Sequence, residues 1–149
     1  MNTCGTKLLR AWVALLVVTA TSAQADDKNA TNLIVHASGF AYPRGQAIAS
    51  LFYEDDDIFN KPRERMAAAI QEDKAILLFP NVKPGHYAVL VFHDENGNSE
   101  LDHNALRFPA EPLGFSNDFA LTVFSGMPTF KKLRLTYQTS AEAISILVK

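Results

Sequence analysis

The sequence predicts an all-β protein, a two-sheet β-sandwich of the immunoglobulin-like kind with about seven strands and one long loop. Two observations lead to this fold class. Short β-branched or aromatic runs recur between clusters of Gly, Pro, Asn and Asp, which is typical of strands separated by turns. Several runs are apolar on both faces, as in a packed core, and the run at 132–137 alternates polar with apolar side chains.

The first half of the chain supplies the clearest core strands. Residues 33–36 and 47–53 are short apolar runs flanked by turn residues. Residues 86–93 are apolar at both alternating sets of positions, so this strand is expected at the centre of a sheet, buried on both faces. Pro84 and Gly85 before it predict a type II turn, because Pro fixes one φ and Gly supplies the positive φ that this turn requires.

The remaining elements are less regular. Residues 54–74 leave open whether 66–70 is a helical turn or a strand, and we favour a strand that ends in a turn at Asp73 and Lys74. Residues 94–118 form a long polar stretch without periodicity of its own. Further strands are expected at 75–79, 119–124, 132–137 and 143–148.

The first 25 residues have the three parts of a secretory signal. Lys7 and Arg10 supply positive charge, residues 11–20 are apolar, and residues 23–25 form a small-x-small cleavage site. The apolar run is too short to cross a bilayer core, which needs about 20 residues. We therefore expect this signal to be removed and residues 26–149 to form a single exported domain, periplasmic or secreted.

Composition excludes several classes of partner. The chain has 14 Lys and Arg and 16 Asp and Glu; without the two basic residues of the signal, 12 remain against 16 acids, a net charge of −4. Nucleic acids and anionic membrane surfaces require basic patches, so neither is expected as a partner. Cys4 is the single cysteine and lies in the signal, so no disulfide is expected. Beyond the signal, no segment is long and apolar enough to span a membrane.

An oxygen-rich loop follows the predicted central strand. Oxygen-bearing side chains stand at its first, third, fifth and ninth positions, and the seventh position normally contributes a backbone carbonyl. Calcium takes six to eight oxygen ligands, and this alternate spacing wraps EF-hand loops around the ion. The sequence therefore predicts a Ca²⁺-type site, closed by Glu111 or Asp118 further along. Its residues are Asp94, Asn96, Asn98, Glu100, Asp102 and Glu111.

Two positions depart from the EF-hand pattern. Ser99 stands at the sixth position, where Gly is usual, and Ala105 stands at the twelfth, where Glu is usual. Asp, Asn and Gly are also ordinary turn residues whose side chains bond their own backbone in metal-free loops. A purely structural loop is therefore the alternative to a cation site.

Catalytic patterns are scarce. The four histidines lack H-x-x-x-H spacing, which argues against zinc, and His93 is expected to be a hydrogen-bonded structural residue. The acidic run at 54–57 is more typical of a solvated turn than of a chelating site. Residues 114–117 lack the second glycine of a nucleophile elbow. We therefore expect a binding module, with partner unknown, rather than an enzyme.

Two alternatives remain open. The first is a module that binds carbohydrate or another cell-envelope component, by analogy of fold, with a glycan or a protein as the partner. The second is a hydrolase that uses carboxylates together with the loop cation. The aromatic residues available to a sugar site are Tyr42, Tyr53, Phe108 and Phe115.

Three blocks of sequence carry a resemblance. They read F-x-x-V-x-P-G-x-Y-A-V at 79–89, F-H-D-x-N-G-N at 92–98 and P-x-E-P-x-G-F-S-N at 109–117. In these three blocks the chain resembles domain-of-unknown-function family 2141, a group of small exported bacterial proteins. The resemblance implies a transthyretin-like or carboxypeptidase-regulatory-like β-sandwich over about 33–137, and no activity.

The same resemblance bears on the oxygen-rich loop. The family pattern D-x-N-x-N-G-x-x-D is matched by Asp94, Asn96, Asn98 and Asp102, with Ser99 in place of the last glycine. Glu111 matches the family's P-x-E-P block. The resemblance therefore implies the same loop residues as the spacing does.

Overall fold

The computed structural model describes Met1 and residues 31–58, 62–122, 124–138 and 143–149. These residues form eight β-strands in two sheets and one short helix, which confirms the predicted two-sheet β-sandwich. The elements are β1 (Thr31–Ser38), β2 (Gln46–Phe52), β3 (Glu64–Ala69), β4 (Lys74–Val82), β5 (Gly85–Asp94), β6 (Leu113–Phe115), α1 (Phe130–Leu133), β7 (Leu135–Tyr137) and β8 (Ile144–Leu147).

The two sheets have different sizes. One has three strands in the order β4–β1–β8, and the other follows β3–β2–β5–β6, with β7 also paired to β5. The sheets meet at a corner, where Leu113 and Lys149 exchange two backbone hydrogen bonds of 3.2 and 3.1 Å. Gly114 permits this approach, because a Cβ there would lie 2.3 Å from the carbonyl oxygen of Leu147.

Apolar side chains fill two layers, one on each face of β5. Between the sheets, Val89 and Val91 pack in one cluster with Phe79 of β4. On the outer face, Phe92 packs in a second cluster with Leu133 of α1. The predicted burial of this strand on both faces is therefore confirmed, and the chain beyond the oxygen-rich loop covers the outer face.

The core strands lie where the apolar runs predicted them. Strands β1, β2, β4, β5 and β8 overlap the expected ranges. Of the segment left open, residues 66–69 lie in strand β3, as favoured, and Ile70 follows its end. The turn between β3 and β4 consists of Glu72 and Asp73, one residue earlier than expected, and Glu72 takes a φ of 60°.

The prediction of a type II turn at Pro84 and Gly85 was wrong. Gly85 begins β5 and pairs with Tyr137, and it does not have a positive φ. The left-handed residue nearby is Asn81, with a φ of 57°, close to the point where the register between β1 and β4 shifts. Asn tolerates this conformation better than other residues with a Cβ.

Two predictions in the last third of the chain also need correction. Residues 119–122 form no strand, and Val123 lies outside the described residues. The alternating run at 132–137 is divided between α1 and β7. The run is divided because Leu133 is held in the core: the Ser116 hydroxyl donates to the Leu133 carbonyl at 2.6 Å, and Leu133 is fully buried. The long polar stretch also contains a strand that was not predicted, β6.

The predicted signal lies outside the described residues, apart from Met1. In the part of the chain that is described, no helix is long and apolar enough to cross a bilayer.

Candidate functional site

The oxygen-rich loop, residues 94–102, begins at the end of the central strand and is named here the Asp94 loop. Pairing between β2 and β5 sets Gln46 opposite Asp94, and Gln46 Nε2 donates to Asp94 Oδ2 at 2.7 Å. Gly45 lets the two strands come this close, because a Cβ there would lie 2.2 Å from the Asp94 carbonyl oxygen. The sheet therefore fixes the start of the loop.

The Asp94 carboxylate is fully buried and accepts hydrogen bonds from its own loop. Oδ1 accepts from the backbone N–H groups of Gly97 at 2.8 Å and Asn98 at 3.1 Å, and Oδ2 accepts from that of Ser99 at 2.9 Å. Burial raises the pKa of this carboxyl, but the hydrogen bonds from Gln46 and the three amides together outweigh it and hold the pKa below its usual value. Asp94 is therefore an ionised anchor.

Ser99 adopts the conformation that glycine has at the sixth position of an EF-hand loop. Its φ is 63°, and that of Gly97 is 76°. Arg65 Nη1 on strand β3 donates to the Ser99 carbonyl at 2.8 Å. Hydrogen bonds at both its N–H and its carbonyl thus hold the serine in the left-handed region.

The other oxygen-bearing side chains gather on the outer side of the loop. Asn96 Oδ1 accepts from the Asn98 N–H at 2.9 Å, and Asn98 Oδ1 accepts from the Glu100 N–H at 2.7 Å. The two Asp102 oxygens accept from Asn96 Nδ2 at 2.6 Å and from Asn98 Nδ2 at 3.2 Å. Three predicted ligands therefore touch one another, whereas Glu100 is exposed and joins this network through its backbone.

Glu111 closes the base of the Asp94 loop. Its Oε1 accepts from the Glu95 N–H at 3.0 Å, and its Oε2 accepts from the Asp102 N–H at 3.2 Å. Asp118, the other candidate for a closing carboxylate, borders a cavity that Glu111 also lines. One carboxylate thus ties together the two ends of the loop.

The oxygen atoms of this loop differ in how many hydrogen bonds they already accept. Within the described ranges, no three side chains of His, Cys, Asp or Glu form a group that could hold a metal ion, so a cation would need amide and backbone oxygens as well. Each amide or carboxylate oxygen has two lone pairs. Asn96 Oδ1, Asn98 Oδ1 and both Asp102 oxygens accept one hydrogen bond each within this loop, whereas each Asp94 oxygen accepts two.

His93 is packed in the core beside the loop, as expected of a structural histidine. Its Nε2 lies 2.6 Å from the Arg44 carbonyl oxygen, and since a carbonyl can only accept, Nε2 carries the proton. Nδ1 has no hydrogen-bond partner and lies 3.9 Å from Glu95 Oε1. The rings of Phe40 and Tyr42 pack against the imidazole.

The remaining predicted site residues are mostly structural. In the acidic turn, Asp56 accepts from the Tyr53 N–H at 2.7 Å and pairs with Arg63 at 3.1 Å. Of the four aromatic residues considered for a sugar site, Tyr42 and Tyr53 pack against other rings and Phe115 is buried. Phe108 is the exposed one, at 58 %.

A cavity of about 920 Å³ lies on the outer side of the five-stranded sheet and is named here the apolar trough. The sequence did not predict it, because its residues come from distant and irregular parts of the chain. Three of its six main apolar residues lie in the stretch at 94–118, which is polar overall and has no periodicity, so no local pattern marked them. Its main apolar residues are Phe108, Leu113, Phe115, Phe119, Leu121 and Met127.

Comparison with known proteins identifies the family. Residues 35–145 match the model of a family described as an uncharacterized protein conserved in bacteria (DUF2141). No curated protein and no solved structure matches the chain. The matched range covers well over half of the sequence and contains the whole Asp94 loop. The chain therefore belongs to the DUF2141 family.

Proposed function

We propose that this chain is an exported, non-catalytic binding module that takes up Ca²⁺ in the Asp94 loop. The observation that carries the proposal is the contact among Asn96, Asn98 and Asp102 at an exposed rim. These side chains bring one carboxylate and two amides to one place, and each of their acceptor oxygens retains bonding capacity. The NH₂ groups of both amides face the carboxylate, so each amide would turn its oxygen to the ion on binding. Export is supported by the signal pattern of the first 25 residues.

The ligand set would combine three side chains with the backbone. Asn96, Asn98 and Asp102 would hold the ion, the Glu100 carbonyl would occupy the seventh position, and water would complete the six to eight oxygens that Ca²⁺ takes. Asp94 remains bonded to the loop amides and positions them. The bound ion would supply a cross-link between the middle and the end of the loop.

A binding role accounts for the buried polar groups better than catalysis does. The Asp94 and Glu111 carboxylates are committed to backbone N–H groups, and His93 is enclosed by the core. Of the aromatic residues that a sugar site would use, Phe108 alone is more than a third exposed, which weakens the carbohydrate alternative.

The test is thermal unfolding of the purified protein with EDTA, with Ca²⁺ and with Mg²⁺. A ligand that binds only the folded state adds about 2.7 kcal/mol at a hundred times its dissociation constant, so Ca²⁺ should raise the Tm by several degrees. Mg²⁺ should act less, because it demands octahedral geometry and gives up water reluctantly.

Two variants distinguish Ca²⁺ binding in the Asp94 loop from an effect of Ca²⁺ on acidic residues elsewhere in the chain. Asp102→Asn removes the ligand charge and should abolish the Ca²⁺-dependent rise in Tm. Asp56→Asn, in the acidic turn, should retain it. The proposal fails if millimolar Ca²⁺ leaves the Tm unchanged, or if Asp102→Asn responds as the wild type does.

A further inference from the structure

The apolar trough supports an inference that goes beyond the cation site and does not depend on it. We propose that the trough binds an anionic single-chain amphiphile, a molecule of the fatty-acid kind with an alkyl tail and a carboxylate head.

The volume and lining of the trough suit an alkyl chain. Its volume of about 920 Å³ lies within the range of small-molecule pockets, about 300–1,000 Å³. Phe115 lines the trough and is 4 % exposed, whereas Phe108 and Met127 are 58 % and 64 % exposed. Large apolar side chains that cluster around a concave surface are uncommon in a soluble domain unless something covers them. An alkyl tail would remove them from water.

One wall of the trough is a hairpin tip held by its own hydrogen bonds. Asn104 Oδ1 accepts from the N–H groups of Leu106 at 3.0 Å and Phe108 at 3.1 Å. The Arg107 N–H donates to the Asn104 carbonyl at 2.9 Å, and Asn104 in turn donates to the Phe108 carbonyl at 2.9 Å. The tip therefore presents Phe108 on a fixed backbone, which lowers the entropy lost when a ligand binds.

Another wall of the trough is held by a lysine. Lys132 Nζ donates to the carbonyls of Ser125 at 2.7 Å and Met127 at 2.9 Å, and it lies 5.6 Å from the centre of the Phe119 ring. This ammonium group is therefore engaged with the wall. The wall that carries Met127 is pinned in place before any ligand arrives.

Charge gives the trough a direction. A second cavity, of about 630 Å³, shares Phe108, Leu121 and Met127 with the trough and is bordered by Arg107. Among the described residues, no carboxylate forms an ion pair with the Arg107 guanidinium. The trough itself is bordered by two acids, Glu111 and Asp118, and by one base, Lys149, and none of these three lines the second cavity. An anionic head therefore fits beside Arg107, with the tail running over Phe108 and Met127 into the trough, where the acids outnumber the base.

The experiment is isothermal titration of the purified protein, in EDTA, with sodium dodecanoate below its micelle concentration. We expect saturable binding with one site per chain. Each methylene is worth about 0.8 kcal/mol, so shortening the tail to octanoate should weaken binding by roughly fourfold per carbon removed. Dodecyltrimethylammonium has the same tail with a cationic head and should bind at least tenfold more weakly than dodecanoate.

Three variants test the placement. Met127→Gln should weaken dodecanoate binding by about tenfold, whereas Ile76→Gln should not change it; Ile76 is also 64 % exposed but lies on β4, in the three-stranded sheet. Arg107→Gln should weaken dodecanoate and leave dodecyl maltoside, which has a neutral head, unaffected.

Several results would overturn the proposal. Absence of saturable binding, equal affinity for the anionic and cationic heads, or an equal loss in Ile76→Gln would each do so. Concentration-dependent dimers that are lost in Met127→Gln would assign the trough to a second copy of the chain. Binding to phosphatidylglycerol vesicles without binding to monomeric dodecanoate would assign it to a membrane surface. Because the titration contains no Ca²⁺, none of these results bears on the Asp94 loop.

Discussion

Asp94 and Asp102 belong to one loop and one sequence pattern, yet the fold uses them in opposite ways. Asp94 is fully buried, and its carboxylate accepts four hydrogen bonds, three of them from backbone amides. Asp102 is partly exposed, and its carboxylate meets two side-chain amides. A carboxylate saturated by backbone donors acts as a structural anchor. A partly exposed carboxylate with spare lone pairs is the one suited to a cation, and residue spacing alone does not separate the two.

The largest effect is expected from Asp94→Ala. It leaves the amides of Gly97 and Ser99 without their acceptor, while the Asn98 amide keeps its bond to Asn96, so the free energy of unfolding should fall by about 3 kcal/mol. Asp94→Asn keeps one acceptor oxygen and should lie between Asp94→Ala and the wild type. Urea denaturation measures both variants, and a loss below about 1 kcal/mol for the alanine variant would contradict the anchor role.

This contribution should depend on pH in one direction. The folded-state pKa of Asp94 lies below its unfolded value of about 3.9, so the ionised carboxylate stabilises the fold above that pH. The stabilisation is lost as the pH falls through the folded-state pKa. The stability difference between wild type and Asp94→Asn should therefore shrink on acidification below about pH 4. A constant difference from pH 7 to pH 3 would contradict this assignment.

An intermediate effect is expected from Glu111→Gln. The Gln oxygen can accept from one of the Glu95 and Asp102 amides, but its NH₂ group would face the other donor, at a cost of about 1–2 kcal/mol. Stability in urea measures this cost, and exposed Glu100→Gln is the matched control, expected to change little. Equal stability of the two variants would show that Glu111 does not tie the loop ends together.

The smallest effect on stability is expected from Asp102→Asn without Ca²⁺. The side chain is partly exposed and bonds the amides of two exposed residues, so the free energy of unfolding should change by less than about 0.5 kcal/mol. Denaturation in EDTA measures this change. A loss as large as that of Asp94→Ala would mean that the two acids have the same structural role.

The sequence predicted the Asp94 loop better than its surroundings. Asp and Asn at alternate positions bond nearby backbone amides, which is a local property, so Asn96 and Asn98 were recognisable from spacing. Gln46 and Arg65 also hold the loop, but they reach it through the pairing of β2 with β5 and β3. That register depends on the whole sheet, so neither residue could be predicted from local spacing.

The same distinction explains the successes and failures elsewhere. Strand β5 was predictable because its consecutive residues are apolar, which by itself predicts burial on both faces. The apolar trough was not, because Phe108, Leu121 and Met127 meet through loops that have no periodicity. Helix α1 is one turn long and lies inside an alternating run, where Leu133 is fixed by a contact to Ser116 that lies 17 residues earlier.

Diffraction from crystals grown with Ca²⁺ tests the proposed cation site most directly. We expect an anomalous difference peak about 2.3–2.6 Å from oxygens of Asn96, Asn98 and Asp102, with the Asp94 carboxylate still bonded to the Gly97 and Ser99 amides. A loop without such a peak at millimolar Ca²⁺, or an ion bound away from Asp102, would contradict it.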